Sequence, residues 1–356
     1  MDQKTLHGPG QIKIDALKGH RIGIIGFGNQ GRAHALNLRD SGLDVHVGTR
    51  PQSVGGDQAK ELGFSVTGIS EAVAASDLSI ISLPDPVHQE VFEESIEPAL
   101  QSGSVIGFLH GFSVHFKLVK AAKDIGVVMV APKGPGVALR MRFEEGLGLP
   151  CLMAVDQENP SGTAREMALA WAAGLGAANA AVIETTFAIE AETDLFGEQA
   201  VLCGGLAALL QAGFETLVRA GYPPEIAYLE CCQEIKQIAD LVFERGMTGM
   251  LTAISTTAEF GLITGHEAVT KKQLQPAMQE LLSAVQDGSF ADAMQQQHSD
   301  GSAALHDHRQ KVASSALEEA GKTVRSWMPW LDHTAPTNQP RVTGQDSTTT
   351  SNNRSS

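Results

Sequence analysis

Between Arg21 and about Thr186, short β-branched apolar runs alternate with longer segments of helical period. The runs are RIGIIG, DVHVGT, DLSIISLP, SVIGFLHG, VVMVAPKG, PCLMAV and AAVIETT. Alternation of this kind predicts a mostly parallel sheet with helices on both faces. After Thr186 the strand pattern stops, and residues from about 190 to 330 read as helices. They are punctuated by GYPPE, where Gly221 ends one helix and Pro223 or Pro224 begins the next. The change of period near 183–190 predicts a boundary: an α/β domain over 1–183, then an all-α domain over 184–331. From 332 to 356 the chain is polar and without apolar pattern, so it buries too little surface to order itself.

Acidic residues interrupt two of the apolar helical stretches. Asp194 and Glu198 open ETDLFGEQAVLCGGLAALL, and Glu230 and Glu234 sit inside IAYLECCQEIKQIADLVF. The i, i+4 spacing stacks each pair on one helix face. At about 100° per residue, Asp194 and Glu198 share a side with Val201, Leu202 and Leu209, and Glu230 and Glu234 share one with Ile226, Ile238 and Leu241. Carboxylates on a buried stripe cost several kcal/mol each, roughly, unless compensated. Gathered together they repel, and a hard divalent cation between helices is the simplest remedy. Solvated helix faces, or a helix-capping role for Asp194, are the plainer readings. A di-iron carboxylate bundle requires His three residues after the glutamate, where Val201 and Gln233 stand instead.

GFGNQG (Gly26, Phe27, Gly28, Asn29, Gln30, Gly31) follows one strand run and opens a helical segment, the context that makes a dinucleotide fingerprint specific. Gly26 permits the tight turn, Gly28 lets a pyrophosphate reach the backbone, and Gly31 lets the helix pack on the strand. The helix N-terminus then offers free N–H groups to the phosphates, so the α/β part, 1–183, reads as a dinucleotide-binding domain of Rossmann type. At the end of the next run, VGTRPQSVGGD places Thr49, Arg50 and Ser53 where an NAD-binding chain carries an acid. That suits the 2′-phosphate of NADP(H), while Asp57 would favour NADH if the loop folds back. Two later runs end in His110 and Lys133, on the side of the sheet where ligands bind.

A formal charge of −15 argues against nucleic acid or an anionic membrane as the main partner. The four cysteines (Cys151, Cys203, Cys231, Cys232) show no framework spacing and read as reduced core thiols of a cytoplasmic protein. No signal or transit pattern opens the chain, and no uninterrupted apolar run approaches the ~20 residues of a membrane span.

Taken together, GFGNQGRAHALNLRDSG, the HGF and APKGPG turns, ETDLFGEQAVLCGG, AGYPPEIAYLEC, ISTTAEFG and the closing MPWL resemble ketol-acid reductoisomerase in its short form, over about residues 5 to 331. The resemblance implies an Mg²⁺-dependent alkyl migration in 2-acetolactate or 2-aceto-2-hydroxybutyrate, followed by hydride transfer from NADPH, in the synthesis of branched-chain amino acids. Two metal ions suit that chemistry by polarising the ketone and lowering the hydroxyl pKa. By the same resemblance, Asp194, Glu198, Glu230 and Glu234 hold the metals, with Asp194 as bridge and Glu234 also a proton carrier. His110 and Lys133 lie near the nicotinamide and first metal, Ser255 binds the substrate carboxylate, Cys203 and Ile254 line the pocket, and Gly136 joins the cofactor-binding set. The family's helical domain is knotted and its site is shared between subunits, so a homodimer or larger homo-oligomer is implied. The chain departs from the family pattern at Gln233, where a histidine is usual, in VALRMRF after the PKGPG turn, and in VGGD of the cofactor loop. A metal-independent NADP-dependent reductase and a non-catalytic nucleotide-binding protein are the competing readings.

Overall fold

The computed structural model describes residues 6–269, 274–328 and 331. The polar stretch 332–356, and Pro329 and Trp330 of the MPWL end, lie outside the described residues. The strands are β1 (Leu6–His7), β2 (Arg21–Ile25), β3 (Asp44–Gly48), β4 (Val66–Thr67), β5 (Leu78–Ile81), β6 (Val105–Phe108), β7 (Gly126–Pro132), β8 (Cys151–Gln157) and β9 (Val182–Glu184). They form one nine-stranded sheet in the order β1-β9-β8-β7-β6-β5-β2-β3-β4. Every expected run is a strand. β1 and β4 are the additions; at two residues each they are too short to show a period of two.

From β4 through β7 all neighbours pair in parallel, while β8 runs antiparallel to β7 and β1 antiparallel to β9. Successive strand residues feed opposite faces, so the sheet carries a core on each side. Ile24, Ile80, Val105, Val128 and Val130 pack with Ala33, Leu38 and Trp171 on one face. Ile25, Ile81, Ile106, Phe108 and Met129 pack with Val73, Phe92, Ile96 and Phe187 on the other. Chain order reverses between β2 and β5, which opens a crevice beyond their carboxyl ends.

One buried pair in the first core makes stability depend on pH. Trp171 Nε1 donates to His34 Nδ1 at 3.2 Å, and among the described residues His34 Nε2 finds no partner. A proton on Nδ1 would face the indole N–H, and burial alone pushes the His34 pKa down to about 3. The folded protein therefore refuses a proton that the unfolded chain accepts near pH 6.5, and stability is lost as pH falls from about 6.5 toward 3. We expect about 3 kcal/mol of loss at pH 4 relative to pH 7. His34→Gln, which keeps an acceptor for the indole, should flatten that part of a urea-denaturation pH profile. Parallel profiles for the two proteins would refute the assignment.

Beyond Glu184 the described residues are helical, beginning with Phe187–Gly197 and Gly204–Arg219. Gly221, at φ +91°, ends the second of these, and Pro224 occupies the first position of the next, Pro224–Tyr228. Two small cores hold this part together. Phe214, Ala227, Tyr228, Ala320 and Val324 form one, and Phe112, Leu195, Val285 and Ala291 join the other to the sheet domain.

Three expectations are corrected here. The face carrying Asp194 and Glu198 is not a buried stripe: Val201 is 51 %, Leu202 65 % and Leu209 58 % exposed. Glu198, Glu230 and Ile226 are also exposed, and Ile238 and Leu241 only half-buried, so among the described residues nothing covers that side of those helices. The cysteines are not all core thiols, since only Cys151 is buried while Cys203, on the open face, is exposed. And Phe187–Arg219 is, by length and composition, long and apolar enough to cross a membrane. Its Glu190 and Asp194 carboxylates nevertheless engage the sheet domain, as described next.

Candidate active site

The glycine-rich turn lies where the pattern placed it, between β2 and the helix Asn29–Asp40. Gly28 and Asn29 are exposed at the helix start. Phe27 instead points its ring into the core, edge-on to Phe64 at 5.8 Å, so only its backbone belongs to the turn. The PKGPG turn closes over the same place: Gln30 Nε2 donates to the Gly134 carbonyl at 3.0 Å, and Gly136 packs directly against the backbone of Asn29 and Gln30. Beyond β3, Thr49, Arg50, Ser53, Gly56, Asp57, Lys60 and Thr67 line a cavity of about 230 Å³. Ser53 caps the helix Val54–Glu61, its hydroxyl accepting from Gly56 N at 3.1 Å. Arg50 and Lys60 bring two positive charges to this cavity against the one carboxylate of Asp57, 3.6 Å from Lys60.

His110 and Lys133 follow β6 and β7, and both reach one carboxylate that sequence reasoning did not single out. Glu190, only 1 % exposed, sits one helical turn before Asp194. Its Oε2 accepts from His110 Nδ1 at 2.8 Å and from the Gly111 backbone N–H at 2.7 Å, and its Oε1 accepts from Lys133 Nζ at 2.7 Å. Lys133 Nζ also donates to Asp194 Oδ1 at 2.8 Å, and Asp194 Oδ2 lies 3.7 Å from His110 Nδ1. Burial opposes the ionisation of Glu190, but the hydrogen bond and charge of His110, with the Lys133 ammonium, overcome it and hold the carboxyl down to about 2. Burial likewise works against charge on His110 and Lys133, and Glu190 and Asp194 outweigh it, raising both above their ordinary values. At neutral pH the cluster holds an ionised Glu190 and a protonated Lys133 at the cofactor side of the sheet. The Glu190–Asp194 spacing is the signal that would have found it: it extends the Asp194–Glu198 row by one turn.

Glu198, one helical turn on from Asp194, is raised above the ordinary carboxylate range, first by its partial burial and then by the charge of Asp194. A cation between the two carboxylates would relieve that repulsion. His110, Glu190 and Asp194 offer ligand atoms within 4.8 Å of one another, yet the Lys133 ammonium already bridges Glu190 and Asp194. A metal therefore fits better on the open side, at Asp194 and Glu198, whose side chain accepts no hydrogen bond among the described residues. The oxygen donor set suits Mg²⁺ or Mn²⁺ over zinc. Both acid-bearing helices widen here: Cys203 N reaches back five residues to the Glu198 carbonyl at 2.9 Å, and Glu234 N to that of Leu229 at 3.2 Å. Such π-type turns recur at functional sites.

The second pair does not join the first within one chain. Among the described residues no hydrogen bond or ion pair links Glu230, Glu234 or Ser255 to Asp194 or Glu198. Ser255 caps the helix Thr256–Val269 by accepting from Ala258 N at 3.1 Å, and Ile254 beside it is half-buried. Phe243, Met247, Phe260 and Ile263, near these residues in sequence, are exposed.

A doubly wound sheet with a glycine-rich turn at its switch point, an acid–base cluster at the strand ends and a helical C-terminal domain defines a nicotinamide-dependent oxidoreductase. The family model described as acetohydroxy acid isomeroreductase, NADPH-binding domain, matches residues 16–181, and that of the ketol-acid reductoisomerase C-terminal domain matches 187–330. A solved NADH-preferring ketol-acid reductoisomerase from an uncultured archean is 40 % identical over 91 % of this chain and 99 % of its own, with a TM-score of 0.88. The chain belongs to the ketol-acid reductoisomerase family and is an NAD(P)-dependent enzyme of that kind. The Cupriavidus necator semialdehyde dehydrogenase NAD-binding protein, solved with calcium and NAD, shares the fold alone: 18 % identity, TM-score 0.58, over 75 % of this chain and 99 % of its own.

Proposed function

We propose that this enzyme converts 2-acetolactate to 2,3-dihydroxyisovalerate, and 2-aceto-2-hydroxybutyrate to 2,3-dihydroxy-3-methylvalerate, using Mg²⁺ and NADP(H) in cytoplasmic branched-chain amino-acid synthesis. The observation that carries this reading is the Lys133 ammonium held between Glu190 and Asp194, with the Glu198 carboxylate open beside it. Domain 1–183 carries the dinucleotide and 184–331 the metals and substrate. When bound, two Mg²⁺ ions supply Lewis acidity, and the nicotinamide supplies the reducing equivalents. Asp194 and Glu198 of one subunit, with Glu230 and Glu234 of a second copy, would hold the ions.

The chain's own groups do the rest. Lys133 holds a proton at Nζ and His110 one at Nδ1, both against Glu190, so each is ready beside the reacting oxygens without solvent reorganisation. Glu234, exposed, carries a proton between solvent and substrate. Ser255 presents a hydroxyl to the substrate carboxylate, and Cys203 and Ile254 border the pocket. The uncovered apolar helix faces support a homodimer: a second copy laid on them would exclude water and complete the site.

The test follows absorbance of the reduced nicotinamide with 2-acetolactate, with and without Mg²⁺, for NADPH and NADH. Turnover that survives exhaustive chelation would favour a plain metal-independent reductase. Tight dinucleotide binding with no consumption would favour a nucleotide-binding protein. The net positive charge of the 2′-phosphate cavity supports NADPH, so Arg50→Ala should raise the KM for NADPH about tenfold and that for NADH less than about twofold. Equal shifts of both constants would refute the assignment. The NADH preference of the archaeal relative, with Asp57 in the first turn here, supports NADH as the second reading.

A further inference from the structure

We propose that Ser82 is a positioning residue for the cofactor, holding the glycine-rich turn in register from the far side of the switch point. This rests on the reading of that turn as the dinucleotide site. Ser82 immediately follows β5, the strand beside β2, and it grips the turn in three ways. Its backbone N–H donates to the Ile25 carbonyl at 2.8 Å. Its hydroxyl lies 3.1 Å from the same carbonyl and 2.8 Å from that of Gly26, with the single proton directed at the closer one. And it occupies the space the glycines leave. A Cβ on Gly31 would stand 2.3 Å from Ser82 Oγ and 2.7 Å from the Gly26 carbonyl, while one on Gly26 would stand 2.9 Å from the Ser82 carbonyl. Gly31 is thus required by a hydroxyl as well as by the approach of helix to strand, and Gly26 additionally by its φ of +96°.

The grip matters because the Gly26 carbonyl sits within the turn whose N–H groups would face a bound pyrophosphate. Rotating that peptide unit would re-aim the donors at the helix start. Ser82 is itself anchored. One residue on, the Leu83 carbonyl accepts from His88 Nε2 at 2.9 Å, and His88 Nδ1 lies 2.7 Å from Ser113 Oγ. Ser113 follows His110 by three residues, so the segment Ser82–His88 spans from the dinucleotide turn to the acid–base cluster. Neither Ser82 nor His88 carries a signal in the chain pattern: Ser82 stands in the turn after β5, and His88 opens the four-residue helix His88–Val91.

The experiment compares Ser82→Ala and Ser82→Thr with the native protein. It reads the dissociation constants of NADPH and NADH by nicotinamide fluorescence, then kcat and both KM values with 2-acetolactate, and Tm. Alanine should weaken both dinucleotides roughly five- to tenfold, the loss of one hydrogen bond, with kcat and the 2-acetolactate KM within about twofold. Threonine, which keeps the donor, should restore most of the affinity. If the alanine protein is not recovered, Ser82→Cys, of similar size and a poor donor, should show the same selective weakening. Dinucleotide affinity within twofold of native for alanine, or for cysteine where it replaces alanine, overturns the proposal. So does an equal loss in affinity, kcat and 2-acetolactate KM, which would mean general loosening. Because binding is read without turnover, a native protein that binds cofactor but leaves 2-acetolactate untouched sinks the proposed reaction and still decides Ser82. A native protein that binds neither dinucleotide overturns both.

Discussion

Glu190→Gln is expected to lower kcat with 2-acetolactate by roughly two to three orders of magnitude while leaving dinucleotide affinity within about twofold. The glutamine fills the same space, but its amide nitrogen donates where a carboxylate oxygen accepted. It cannot satisfy Lys133 on one side and both His110 and Gly111 on the other, as Glu190 does. The buried negative charge also disappears, and with it the main force raising the proton affinities of His110 and Lys133 against their burial. Both groups then give up their protons more readily, so any alkaline limb of the pH–rate profile that reports them should move to lower pH. Stopped-flow turnover across pH, with cofactor titration alongside, checks both parts. A kcat within about threefold of native would show that the cluster is structural and not functional.

The second large effect concerns the carboxylates that stand apart. Glu230→Gln should abolish turnover, by at least about a thousandfold, and leave NADPH affinity almost unchanged, because Glu230 lies on an exposed helix and does not line the cofactor cavity. Asp194→Asn should be similarly inactive. If the site is built across two subunits, mixing the two dead proteins makes a hybrid with one intact site, and a random mixture should recover about a quarter of native activity. The measurement is turnover after co-expression of the two chains, with native mass spectrometry to count hybrids. Hybrids that form and remain inactive would show that both pairs must serve one site within a single chain, against the shared-site reading.

Much of this was legible along the chain. Strands declared themselves by β-branched runs, and their two-face alternation appears directly as two cores, Ile24 with Val128 on one side and Ile25 with Met129 on the other. The glycine spacing declared the turn, because its requirements are local: a left-handed residue and a helix start. His110 and Lys133 stood out as polar residues closing apolar strands. Glu190 did not, although it lies one turn from Asp194. A lone acid early in a helix reads as a favourable partner of the helix dipole, and only a partner distant in sequence reveals otherwise. The exposure of the acidic helix faces was not legible for the opposite reason. An apolar period says that a face will be covered, and it does not say by what.

The sequence by itself therefore determined the class of fold, the position of the dinucleotide turn, the change from sheet to helices and the family, since each rests on short-range stereochemistry or on motifs contiguous in the chain. Only the tertiary structure decided that Glu190 is the anion shared by His110 and Lys133, that Ser82 fills the space beside Gly31, and that Glu230 and Glu234 do not reach Asp194 within one chain. Those are contacts between elements tens of residues apart. Hydrogen-bond distance and exclusion of water depend on how the elements pack, and no local pattern carries that information.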